Sequence, residues 1–91
     1  MPKVLTTFAT TVVNMQRTLD SLDPGDFAQI VEVNGEDAIA IRLMEMGVID
    51  GEQIELIGRA PFGDPIEFRI RGSRLSLRVA EAQRVTVDSI Q

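Results

Sequence analysis

The chain has 91 residues, a formal net charge of -5, and neither Cys nor His. That length makes one small domain, able to bury roughly 60–70% of the surface its unfolded chain exposes. Without thiol or imidazole there is no disulfide framework, no thiolate or imidazole metal site, no catalytic triad and no histidine general base.

Residues 1–17 are rich in Thr and Val, which favours extended structure, while Val4, Phe8 and Val12 fall at helical spacing. The two signals conflict, so this segment is read as a peripheral N-terminal extension to a domain spanning residues 18–91. In TLDSLDPG, Leu19 and Leu22 are spaced for one short turn against a core, and Pro24-Gly25 marks a tight turn. Phe27–Val33 is predicted as a central strand, apolar on both faces apart from Gln29 and Glu32. Phe27 is assigned to its core face.

Asn34-Gly35 suits a hairpin, but the next stretch does not continue as a strand. In AIAIRLMEM, residues 38–46, Ile39, Leu43 and Met46 recur at i, i+4, i+7, which predicts a short helix. Asp37 fits its N-cap and Gly47 a left-handed C-terminal cap. So short a helix cannot hide Ile39, Ile41, Leu43, Met44 and Met46 together. Core packing accounts for most of them, and the surplus marks a surface for a partner.

Asp50-Gly51 is a turn pair, and Gln53–Arg59 is predicted as a strand carrying Ile54 and Leu56 on one face, with Gly58 marking a bulge. Pro61, Gly63, Asp64 and Pro65 form a tight loop, in which Phe62 is read as a lid on the core. Strict alternation follows: Ile66, Phe68 and Ile70, then Leu75, Leu77 and Val79. With Gly72-Ser73 as a two-residue loop this is a hairpin pairing Ile70 with Leu75, Phe68 with Leu77 and Glu67 with Arg78. It also sets Arg71 against Arg74, an unfavourable like-charge pair. Residues 79–83 suit one helical turn, and Val85-Thr86-Val87 a last strand. Five short strands and one inserted helix predict a mainly β fold, a small SH3-like β-barrel.

Taken in order, RLMEMGVIDGEQIELI, APFGDPIEFRIRG and LSLRVAEAQRVTV closely resemble the FeoA-type ferrous iron transport proteins. The resemblance rests on Met46-Gly47, Asp50-Gly51, the loop at residues 60–65, Arg71-Gly72, residues 75–78 and Glu81-Ala82. It covers residues 18–87. Asp50-Gly51 stands where the family often has Pro-Gly, and residues 1–17 have no counterpart. The resemblance implies an SH3-like barrel in the cytoplasm and an accessory role in ferrous iron uptake. It implies contact with the FeoB-type membrane transporter, at its cytosolic GTPase domain, and implies no enzyme activity. The same fold occurs as a module of metal-dependent transcription regulators; no DNA-binding region accompanies it here, so that reading ranks second.

The residues themselves offer two partner surfaces. One is the helix end, Leu43, Met44 and Met46. The other is the hairpin tip, where Arg71 and Arg74, if adjacent, would invite a carboxylate or phosphate. The alternative for the two arginines, and the preferred one, is solvation or pairing with an acid such as Asp88. Nucleic acid is not expected as a partner: residues 1–58 carry -7 and residues 59–91 only +2. No apolar run approaches the ~18 residues that span a bilayer, so no membrane insertion is expected. A groove for Pro-rich peptides needs aromatics, and the chain has four Phe, no Trp and no Tyr. Paired-carboxylate catalysis would fall to Asp64 and Glu67, which are better explained as a turn cap and a partner of Arg78. Glu36, Asp37 and Glu45 could hold a divalent cation weakly but are better explained as a solvated face. No metal site, no cofactor and no catalytic residue is assigned. Open strand edges and surplus apolar surface make a homo-oligomer a further expectation.

Overall fold

The structure, a computed structural model, describes residues 16–90. The conflict over Val4, Phe8 and Val12 lies outside the described residues. Six strands form one antiparallel sheet: β1 (Gln16–Thr18), β2 (Phe27–Val33), β3 (Gln53–Arg59), β4 (Ile66–Ile70), β5 (Ser73–Leu77) and β6 (Val85–Ile90). Their order is β1-β6-β2-β3-β4-β5, which makes β2 a central strand as predicted. Two helices join them, α1 (Ala38–Glu45) and the single turn α2 (Val79–Ala82). Five strands correspond to the sequence reading; β1 is the addition, pairing Gln16 with Asp88 and Arg17 with Val87. Two residues of the expected extension therefore belong to the sheet.

The alternating apolar residues line one side of the sheet, and the sheet curls around them. Ile30, Ile54, Leu56, Ile66, Phe68, Leu77, Val85 and Val87 share a single buried cluster, closed at one end by Leu19 and Leu22. No charged or polar residue is buried among the described residues. Two bulges supply the curvature, one between Ile30 and Glu32 on β2 and one between Leu56 and Gly58 on β3. The second is where Gly58 predicts it.

The hairpin differs from its predicted register. Arg71 and Gly72, not Gly72 and Ser73, form its loop, both with positive φ (53° and 83°), as a type I′ turn requires. Phe68 faces Leu75, Ile66 faces Leu77, and Arg74 faces Arg69 instead of Arg71. The slip is two residues in the pairing sum, so every side chain keeps its face and the alternation cannot detect it. The observed register releases Val79 from the ladder into α2, where its N–H donates to Asp64 Oδ1 at 3.0 Å.

Three side chains also lie elsewhere than expected. Phe27 is 41% exposed, because Ala28 and Ile30 take the core face of β2. Phe62 is no lid: it is 98% exposed. On α1 the buried face is Ala40 and Leu43, while Ile39 and Met46 stay on the surface.

Candidate functional site

The termini of α1 decide which of its side chains reach solvent. Asp37 Oδ1 accepts the Ala40 N–H at 3.2 Å and so caps the first turn, as predicted. At the other end Gly47 has φ 100°, its N–H donates to Met44 O at 3.0 Å, and the Val48 N–H reaches back to Leu43 O, also at 3.0 Å. This is a Schellman cap, whose pattern brings residues 43 and 48 together. Both are fully buried. Leu43 is thereby committed to the core and has no surface to offer a partner, which corrects its place in the expected patch. Met44 and Met46 are thrown outward, 44% and 41% exposed, with Ile41 and Ile49 beside them.

Between the outer side of α1 and the end of β2 lies a groove of about 340 Å³. Val31, Val33, Met44 and Ile49 line it over Val48, with Glu32 and Asp50 at its edge. No basic side chain lines it. The surplus of apolar residues on so short a helix picks out Met44, but not Val31, Val33 or Ile49, which come from a strand and a loop. The unused apolar residues after the helix were the one available signal.

The hairpin tip is arranged differently from the expected arginine pair. Arg71 and Arg74 do not face one another. Arg71 reaches Glu52 at 3.4 Å, Arg74 reaches Glu67 at 3.0 Å, and Arg69 reaches Glu55 at 3.2 Å. The like-charge pair that does exist, Arg69 opposite Arg74, is offset by Glu55, which faces Arg69 from β3, and by Glu67 on β4, which pairs diagonally with Arg74. Neither Asp88 nor Arg78 takes the role expected of it. Arg71 also borders a cleft of about 290 Å³ that includes the half-exposed Phe27, Glu52 and Arg69.

The remaining candidate clusters are taken up by the fold. Asp64 holds the Val79 N–H and Glu67 is paired with Arg74. Asp37 receives Arg84 Nη2 at 2.5 Å as well as the helix N–H. The Arg84 hydrogen bond is the main reason its carboxyl is held below the ordinary 3.8, with the Ala40 N–H second. Asp37 and Glu45 stand at opposite ends of an eight-residue helix, about 12 Å apart along its axis, and cannot share an ion. Among the described residues no three His, Cys, Asp or Glu side chains gather closely enough to hold a metal ion. No helix among them is long and apolar enough to cross a membrane.

One antiparallel sheet curled around a single apolar core, with a short helix packed on it, is the build of a small SH3-like barrel. The family model for the FeoA domain matches residues 17–89, and the chain belongs to that family, associated with ferrous iron transport. A curated relative in Porphyromonas gingivalis, an Fe(2+) transport protein A/Fe(2+) transporter FeoB fusion protein, is 38% identical over 72 residues. Those residues are 79% of this chain, and the chain spans only 8% of that relative's length. The FeoA-like protein of Clostridium acetobutylicum superposes with a TM-score of 0.79 at 31% identity, over 85% of this chain and 90% of its own. The FeoA of Stenotrophomonas maltophilia, solved with zinc and described as a procaryotic SH3 domain protein, gives a TM-score of 0.71 at 36% identity, over 79% and 89%.

Proposed function

We propose that this chain is a cytoplasmic accessory protein of ferrous iron uptake, acting by contact with an FeoB-type transporter at its GTPase domain and not by catalysis. The observation that carries this reading is the unpartnered apolar face of α1, Ile41, Met44 and Met46 continued by Ile49. A soluble partner surface of this kind gains affinity by covering such residues, and Met adapts its shape to what it meets. The fusion of a similar domain to an FeoB in one relative supports the choice of partner, since it holds the two within reach of one another.

The test is a pull-down or titration with the isolated GTPase domain of the FeoB-type transporter. Met44→Glu with Met46→Glu should weaken binding at least about tenfold, because charge enters the centre of an apolar contact. Both side chains are on the surface, so the fold should survive, as a circular dichroism melt would confirm. Binding unchanged in the double variant would refute the α1 surface.

A further inference from the structure

Phe27 and Ile90 form an apolar pair on the outer side of the sheet. They face each other across β2 and β6, 41% and 40% exposed, on the side opposite the buried Ala28 and Val87. On the same side of β6, two residues from Ile90, Asp88 Oδ1 is shut away from water with no hydrogen-bond partner among the described residues. A buried acceptor left unpaired costs free energy that a donor laid over it would recover.

β1 brings the start of the chain to this place. Gln16 pairs with Asp88, and Ile90 lies two residues further along β6, in the direction from which the chain reaches Gln16. Phe27 is two strands from β1, about 10 Å. The bare face of α1 lies beyond the far end of β2, about 20 Å from Phe27. Fifteen residues precede Gln16, outside the span 17–89 that the FeoA model matches, so they are additional to the family's domain. Eight of the fifteen are apolar, Phe8, Val12 and Val13 among them, and one, Lys3, is charged. A segment with β-branched and aromatic residues and so little charge gains by burying them, unlike the polar, charged composition that stays in solvent. Thr10, Thr11 and Asn14 add side-chain donors. The tether sets an effective concentration on the order of mM, so a contact too small to hold a separate molecule is filled within one chain.

We propose that residues 1–15 fold back over the outer side of the sheet and cover Phe27 and Ile90, with a donor to Asp88. The contact is made within one chain, and it leaves the α1 surface free. It goes beyond the transporter reading, and its test contains no transporter, so either can fail without the other.

A double-mutant cycle in the full chain tests it. Phe8→Ser with Val12→Ser should lower the melting temperature by roughly 4–8 °C in a chain of this size. Phe27→Ala with Ile90→Ala should lower it as well. All four substitutions together should cost no more than Phe27→Ala with Ile90→Ala, because the covering and the covered side chains make one contact. Additive losses, or a wild-type melting temperature for Phe8→Ser with Val12→Ser, would overturn the proposal. In NMR spectra the Phe8→Ser, Val12→Ser chain should shift the Ile90 methyl signals and leave those of Met44 and Met46 in place. Shifts at Met44 and Met46 instead would overturn it in favour of α1. A stability difference that disappears on dilution would overturn it in favour of a contact between two copies.

Discussion

The β4–β5 hairpin and α1 treat their surplus groups in opposite ways. On the hairpin, Arg69, Arg71 and Arg74 each meet a glutamate of the same domain. Along α1, Ile39, Ile41, Met44 and Met46 remain on the surface. The difference is geometric. Strands lie side by side, so a long charged side chain has cross-strand and diagonal neighbours within reach. An eight-residue helix on a sheet has one face against the core, and nothing in the fold covers the other. The arginines of the hairpin are therefore satisfied internally, and the apolar side chains on the outer face of α1 are not. The weight of the functional reading accordingly belongs on the helix.

The sharpest way to test that contrast is within α1 itself. Leu43→Ala should cost about 2–5 kcal/mol in urea or thermal unfolding, since it opens a cavity in the core. Met44→Ala, one residue along, should stay within about 0.5 kcal/mol. Equal costs would mean that the Schellman cap does not sort the two residues as described.

A smaller effect is expected at the loop before α1. Gly35 has φ 98°, and a methyl group there would run into the guanidinium of Arg84. That side chain also donates to Asn34 O at 3.1 Å and to Asp37. Gly35→Ala should lower stability by roughly 1–3 kcal/mol, read as a fall in melting temperature. A wild-type melting temperature would show that Arg84 does not fix this loop.

Acid should weaken the helix N-terminus specifically. Because the Asp37 carboxyl is held below 3.8 in the fold, its ionised form favours the folded state above that value. The contribution fades as pH falls through the lowered value. Melting curves from about pH 6 to about pH 2 should show wild type more stable than Asp37→Asn at the upper end, the gap closing in acid. A gap that widens in acid would contradict the sign.

The least effect belongs to the hairpin tip. Reversing Arg71 and Arg74 to Glu breaks two exposed ion pairs, each worth at most about 1 kcal/mol. Transporter binding should change less than in Met44→Glu with Met46→Glu. A larger loss at the arginines would return the hairpin to the centre of the functional reading.

The sequence by itself determined the parts of this protein governed by local rules. Alternation placed Ile54, Leu56, Ile66 and Phe68 inside, Gly58 marked a bulge, and Asp37 and Gly47 bounded α1, because period, cap and turn chemistry each act within a few residues. The loop at residues 60–65, with the segments on either side, carried the FeoA resemblance for the same reason. Tertiary structure alone decided the rest. A two-residue slip leaves every hairpin side chain on its face, so alternation cannot select the register; the Arg71-Gly72 turn, the packing of α2 and the glutamates of β3 and β4 accompany the observed one. Phe62 and Phe27 are apolar residues whose exposure depends on what lies above them, and their local sequence is silent on that. The groove joins Val31, Val33, Met44 and Ile49 from a strand, a helix and a loop, and no local rule relates those three segments. Burial is a property of the whole surface, and it is burial that separates Leu43, in the core, from Met44, on the surface.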